Sequence, residues 1–160
     1  LHEFNISNTL NNVRKLTKDT FNNNFIEYYD DIEDCRIKGN ENILTQAFIN
    51  IYNNAKDALS EKTLVEKLFF VKSRIEDDKL IITFKDNANG ILSDVIEKVF
   101  EPYFTTKHES VGTGIGLYMT NQIITKHFKG SIQVENEDFI LNDKKYTGAK
   151  FIIKLPIDKL

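Results

Sequence analysis

Apolar positions along the chain switch between a helical and a strand period, and the switches mark out the elements. Ile6, Leu10, Val13 and Leu16 recur at spacings of three and four with Asn and Lys between them, which predicts a packing helix over residues 2–18. Asn22-Asn23-Asn24 reads as a turn. The β-branched and aromatic run Phe25–Tyr29 reads as a short strand, and Cys35–Lys38 as another, stopped by Gly39-Asn40. The best-defined helix follows, with Asn42 as its N-cap and Leu44, Ala47, Phe48, Ile51, Ala55, Ala58 and Leu59 forming a broad apolar face. Leu68–Ile75 and Lys79–Lys85 predict an antiparallel hairpin through the polar turn Glu76-Asp77-Asp78.

A third helix is expected from Gly116 to Phe128, with Ile115, Met119, Ile123 and Ile124 apolar at helical spacing and Gly130 placed to end it. His127 near its end suits the helix dipole when charged. Ser131–Glu135 and Ala149–Leu155 then pair across a long polar turn. Helices and strands grouped this way predict an α+β (α/β) two-layer sandwich: a mixed, largely antiparallel sheet covered by helices on one face.

Composition narrows the class. With 160 residues, 41% hydrophobic and 28% charged, the chain suits one globular domain over residues 1–160. A net charge of −3 argues against nucleic acid as a partner, since phosphate backbones need a basic face. Cys35 is the sole cysteine, read as a half-buried strand thiol; a reducing compartment fits. No apolar run approaches the roughly 20 residues that span a bilayer, and no secretory signal is present. The chain begins at Leu1, as expected of a piece of a longer protein whose membrane anchor or sensor, if any, lies in the missing part. Asp30, Asp31, Glu33 and Asp34 lack the glycine and spacing of a calcium loop and are read as a solvated turn. His2 is read as solvent-exposed at a ragged start.

Candidate chemistry gathers between Asp86 and Leu117. Asp86-Asn87-Ala88-Asn89-Gly90-Ile91 follows a strand; Gly112-Thr113-Gly114-Ile115-Gly116-Leu117 precedes a helix. The long segment between them, with Phe100, Phe104, Thr105, Thr106 and Lys107, reads as a lid over an anionic ligand. Asp86 at a strand end can accept from an adenine amine and so choose the base, although Asp-Asn is by itself ordinary turn chemistry. Gly90 permits close backbone approach, and Ile91 can pack on a flat ring. The glycines at 112, 114 and 116 expose amides ahead of a helix, where phosphate binds; their spacing is neither a dinucleotide fingerprint nor a Walker A loop. Phe100 and Phe104 can anchor the lid, and Lys107 can reach a terminal phosphate. Asn50 and Asn54 lie one turn apart beside the apolar face of the second helix. Their amides either bond nearby backbone or point into a polar site, where Asn54 offers a neutral oxygen to magnesium. Asn50, an amide, cannot act as a general base toward water.

Together these segments resemble the nucleotide-binding domain of sensor histidine kinases, within the superfamily that includes gyrase, the mismatch-repair ATPases and the ninety-kilodalton heat-shock chaperone. Gln46–Ala58 resembles the N box, Asp86–Ile91 the G1 box, Phe100–Lys107 the F box and Gly112–Leu117 the G2 box. The resemblance implies a Bergerat-type fold holding ATP and Mg2+ under a lid of about residues 87–113. It implies that Asn54 ligates the metal, that Asp86 binds the adenine amine, and that Asn50 and Lys107 act near the phosphates. Asp57, Gly90, Ile91, Phe100, Thr106, Gly112, Thr113, Gly114, Gly116 and Leu117 complete the implied binding site.

The implied reaction is transfer of the γ-phosphoryl group to a histidine on a separate dimerisation hairpin of the parent protein, which hands it to a response regulator. That hairpin is absent here: His2-Glu3 imitates its phosphoacceptor only superficially, and no proline follows. The implied setting is cytoplasmic, with no membrane contact by this fragment, any membrane anchor carried by the parent, and a monomeric fragment. Ala88 departs from the pattern, which has glycine there; a left-handed backbone at that position would be strained and would weaken nucleotide binding. Asn50 disfavours the first alternative, an ATP hydrolase, whose members carry glutamate there. Ala88 favours a second, a non-catalytic nucleotide- or partner-binding module. A serine-phosphorylating relative is a third.

Overall fold

The computed structural model describes residues 2–61, 63–104 and 115–157. In chain order the elements are β1 (His2–Asn5), α1 (Ile6–Asn23), β2 (Ile26–Ile32), β3 (Arg36–Gly39), α2 (Glu41–Ser60), β4 (Lys67–Glu76), β5 (Lys79–Asp86), α3 (Ser93–Ile96), α4 (Gly116–Gln122), a π-helical turn (Ile123–His127), β6 (Ser131–Leu141) and β7 (Lys144–Pro156). The main sheet has the order β2-β4-β5-β7-β6. β2 runs parallel to β4; the other three ladders are antiparallel. This is the mixed, largely antiparallel sheet expected. β1 and β3 form a separate two-stranded ribbon.

Two tight hairpins set the register. Asp77 and Asp78 (φ 49° and 62°) join β4 to β5, and Asn142 and Asp143 (φ 51° and 64°) join β6 to β7. Left-handed backbone at both central residues matches the right-handed twist of the strands, and short polar side chains tolerate it. With register fixed, alternate residues take one face. Phe69, Val71, Leu80, Ile82, Phe84, Phe151, Ile153 and Leu155 are buried in one core with Leu10, Val13 and Phe21 of α1 and Leu44, Phe48, Ile51 and Tyr52 of α2. The opposite face carries a cross-strand row, Tyr29, Phe70, Lys85, Lys150 and Glu135. There the Lys85 amine lies 4.0 Å from the Phe139 ring centre and donates to Glu137 at 3.1 Å. Lys150, with help from Lys85, holds the Glu137 carboxyl below its usual range.

Several expectations are corrected. The first helix begins at Ile6, because residues 2–5 pair with β3. Its buried stripe runs through Thr17 and Phe21, while Leu16 is 67% exposed. Thr17 tolerates burial because its hydroxyl donates to the Val13 carbonyl at 2.8 Å. Asn40, not Asn42, caps α2: its side chain accepts from the Ile43 amide. The acidic run is exposed, as expected, but it is not a turn: Asp30 and Asp31 belong to β2. Asp31 pairs with Arg74, Glu33 accepts from the Ile75 amide at 2.8 Å, and Asp34 accepts from the amides of Ser7 and Cys35. His2 is exposed, as expected, 3.7 Å from the Glu41 carboxylate, whereas Cys35, read as half-buried, is buried.

The third helix ends in a π turn, which the apolar pattern cannot distinguish from an α turn over so few residues. Thr120, not Met119, is its buried residue facing α2. The expected long polar turn after Glu135 is instead strand on both sides of a two-residue loop. β6 is an edge strand, and its charged residues give no apolar signal.

Candidate functional site

Asp86 is the last residue of β5 and shares the helix-covered face with Phe84 and Ile82. Its ladder partner is Phe69. Tyr52 of α2 packs on both Phe69 (ring centres 5.0 Å apart) and Phe84 (5.8 Å), so α2 crosses beside the strand end that carries the carboxylate. The residue is only 4% exposed. Its Oδ1 accepts from the amides of Ala88 at 2.9 Å and Ala149 at 3.2 Å. Burial nonetheless raises the carboxyl above its ordinary range, against those two bonds. One oxygen is pinned by the backbone and the other has no hydrogen-bond donor among the described residues, as a buried acceptor for a ligand N–H requires.

The loop after Asp86 is held on every side. The Asn87 carboxamide is buried, accepts from the Leu68 amide at 2.8 Å and donates to the Glu66 carbonyl at 2.9 Å, clamping the loop to the start of β4. The Asn89 amide donates to the Thr147 carbonyl at 3.0 Å. Asn136 of β6 bonds both backbone groups of Ile91. Gly148 of β7 lies so close that a Cβ there would sit 1.5 Å from the Asp86 carbonyl oxygen. The left-handed residues are Asn89 (φ 68°) and Gly90 (φ 79°). Ala88 is not among them, so an alanine there carries none of the expected strain; its methyl joins the core.

α2 packs on the sheet face that Asp86 shares. Asn50, Asn54 and Asp57 are all half-buried on it. The Asn50 carboxamide donates to the Gly116 carbonyl at 3.2 Å and accepts from Gln46 at 3.1 Å. The same Gly116 carbonyl accepts from the Thr120 hydroxyl at 3.0 Å, which fixes the start of α4 against α2. Leu117 packs against the core from α4. The Asn54 carboxamide has no hydrogen-bond partner among the described residues. Lys56 pairs with Asp57 at 2.6 Å. Phe100 packs edge-to-face on Phe151, ring centres 6.1 Å apart.

Asn50, Gly116 and Thr120 thus form one cluster, and Asp86, Gly90 and Ile91 another, while Asn54 lies one helical turn after Asn50 on α2. Thr105, Thr106, Lys107, Gly112, Thr113 and Gly114 lie outside the described residues. No cluster of three or more His, Cys, Asp or Glu suited to a metal occurs among the described residues. A cation here would draw on the Asn54 oxygen and on a ligand's own oxygens.

Sequence reasoning passed over Asn87, Asn136 and Gly148. Glycine inside a strand does signal close backbone approach, and Gly148 carries that signal. Asn136 has none, since only the fold brings it to Ile91.

Residues 39–159 match the family described as histidine kinase-, DNA gyrase B-, and HSP90-like ATPase. Sensor histidine kinase ZraS of Salmonella typhimurium is 37% identical over 123 residues, which cover 76% of this chain and 23% of that protein. Sporulation kinase E of Bacillus subtilis is 32% identical over 132 residues, covering 82% of this chain and 16% of that one. The chain therefore spans about a quarter or less of these curated relatives. Among solved structures, the nucleotide-free catalytic domain of histidine kinase ThkA superposes with a TM-score of 0.78 at 27% identity, covering 96% of this chain and 95% of that one.

Proposed function

Because the chain belongs to the histidine kinase-, DNA gyrase B- and HSP90-like ATPase family, we propose that residues 1–160 are the ATP-binding catalytic domain of a sensor histidine kinase. In this reading it binds ATP with Mg2+ and transfers the γ-phosphoryl group to a histidine on a separate dimerisation hairpin of the parent protein, which passes it to a response regulator. The observation that carries the reading is the Asp86 carboxylate: buried, pinned at Oδ1 by two amides, and without a donor to Oδ2 among the described residues. An adenine exocyclic amine supplies the missing donor; a guanine oxygen at that place would face an oxygen. Gly90 and Ile91 border the base.

Asn54 fits the metal. Magnesium favours hard oxygen ligands and keeps waters, so one carboxamide oxygen completed by phosphate oxygens suffices. When bound, the ion neutralises charge on the phosphates. Asn50 spends its amide on Gly116 and so holds the returning lid over the phosphates rather than activating water. That use of Asn50 favours transfer over hydrolysis. Lys107, with Thr106 and the segment Gly112, Thr113, Gly114, Gly116 and Leu117, offsets charge on the transferring group. Asp57 and Phe100 complete the site, and the lid implied over about residues 87–113 leaves the clamped loop only after Ile91. No described helix is long and apolar enough to cross a membrane; in this reading the domain works in the cytoplasm as a monomer on a parent that supplies any anchor.

The test is a thermal titration followed by a transfer assay. ATP with Mg2+ at a hundredfold excess over its dissociation constant should add about 2.7 kcal/mol of stability. The parent's hairpin, supplied separately, should acquire an acid-labile phosphoryl group. Absence of an ATP shift, or the same shift in Asp86→Asn, overturns the adenine assignment. Steady ATP turnover indifferent to the hairpin points to hydrolysis.

A further inference from the structure

The residue that ends the nucleotide loop, Ile91, is held by a side chain from the far edge of the sheet. Asn136 Oδ1 accepts from the Ile91 amide at 2.8 Å, and Asn136 Nδ2 donates to the Ile91 carbonyl at 2.7 Å. A carboxamide presents one donor and one acceptor side by side, so it satisfies both polar groups of one residue as a neighbouring strand would. Few other side chains do: a carboxylate lacks the donor, and a hydroxyl is too short to span both. Gly90 is shaped to the same contact, since a Cβ there would lie 2.8 Å from Asn136 Oδ1.

Asn136 also connects to the base-binding end. Its ladder partner is Ala149, and the Ala149 amide is one of the two donors that pin Asp86. A short chain of neighbours therefore runs from Ile91 through Asn136 and its ladder partner Ala149 to the Asp86 carboxylate, hydrogen-bonded at its two ends and joined by side-by-side strand pairing in the middle. Beyond Ile91 the chain leaves the sheet for α3.

We infer that Asn136 is the positioning residue that fixes the point where the lid departs from the nucleotide loop, keeping Gly90 and Ile91 in register with Asp86. The inference rests on the nucleotide reading above and adds a residue outside the four boxes. Both Asn136 bonds are solvent-exposed, so water replaces them when they are lost, and the fold survives. What is lost is a single loop position. Two bonds of ordinary worth correspond to at most roughly five- to 160-fold in affinity, and water replacing them brings the expected loss toward the low end.

The test compares Asn136→Ala and Asn136→Asp with Gln133→Ala, a control on the opposite face of the same strand. ATP with Mg2+ is titrated calorimetrically, amide exchange is followed over residues 89–96 without nucleotide, and thermal midpoints are recorded. Asn136→Ala should bind about tenfold more weakly, exchange the Ile91 amide faster, and melt close to wild type. Asn136→Asp should be no better, because its carboxylate faces the Ile91 carbonyl. In the transfer assay KM for ATP should rise with kcat kept. Unchanged affinity and unchanged Ile91 exchange in Asn136→Ala overturn the inference alone. So does an equal loss in Gln133→Ala, or a fall in melting that accounts for the loss. A wild-type chain that binds no ATP overturns the nucleotide reading, and this inference with it.

Discussion

The Asn50 carboxamide reaches 3.2 Å across to the Gly116 carbonyl and joins α2 to the first residue of α4. The Thr120 hydroxyl adds a second contact, to the Ala47 carbonyl, and the Asn50 bond closes over the stretch of chain that carries β4, β5 and the lid. Asn50→Ala removes one donor but leaves Gly116 bonded to Thr120. A loss of about 1 kcal/mol is expected in urea unfolding. Asn50→Asp should lose more, because a carboxylate oxygen then faces a carbonyl oxygen. Equal losses for the two variants would mean that the donor is not what matters.

Gly148 and Gly116 should respond oppositely to alanine. At Gly148 the added methyl meets the Asp86 carbonyl at 1.5 Å, against backbone that cannot yield. Gly148→Ala should cost about 3 kcal/mol or more and broaden or abolish the melting transition. At Gly116 the nearest atom is 3.9 Å away, ordinary contact. Gly116→Ala should melt at or above wild type, since alanine in a helix is favoured by about 0.5–1 kcal/mol.

Asp86 should cost the empty domain stability at neutral pH. Its folded pKa is raised by burial above the unfolded value. The protonated carboxyl is therefore the better-tolerated form, and its contribution is fully present below the unfolded pKa. It fades as pH rises through the raised folded pKa. Asp86→Asn keeps an acceptor for the Ala88 and Ala149 amides without the charge. Free of ligand it should melt at or above wild type at pH 7, with the gap closing as pH falls into the ordinary carboxylate range. Melting curves over pH measure this, and a gap that widens on acidification contradicts it.

The cap of α2 offers a simple check. Asn40→Ala removes the acceptor for the Ile43 amide and should cost about 1 kcal/mol. Asn42→Ala, at an exposed helical position, should change stability little.

These cases show where local pattern stops. Leu44, Phe48, Ile51 and Leu59 announce α2 because a buried helix face repeats in the sequence itself. Asp86, Gly90 and the glycines near 116 stand out because loops that approach a ligand need unusual residues at close spacing. The cap slipped by two positions because Asn40 and Asn42 are the same residue type, and only backbone geometry separates them. Leu16 was misplaced because one extra apolar residue fits a helical period as well as Thr17 does. Strands β6 and β7 were underestimated because an edge strand carrying Glu135, Glu137 and Asp138 has no apolar alternation to read. Asn136 and Gly148 were invisible as site residues, since their importance comes from what lies opposite them across the sheet.

The lone parallel ladder bears on how the molecule assembles. Hairpins β4–β5 and β6–β7 close through two-residue loops and need little chain entropy to form. β2 can join β4 only after β3 and all of α2 have been laid down between them, as Ile26 pairs with Lys67. Non-local pairing of this kind is slow. The β5–β7 ladder joins residues further apart still, Lys85 with Lys150, so docking of the β6–β7 hairpin should come last in refolding, and a chain interrupted at that stage would expose the edge of β5 to other copies of itself.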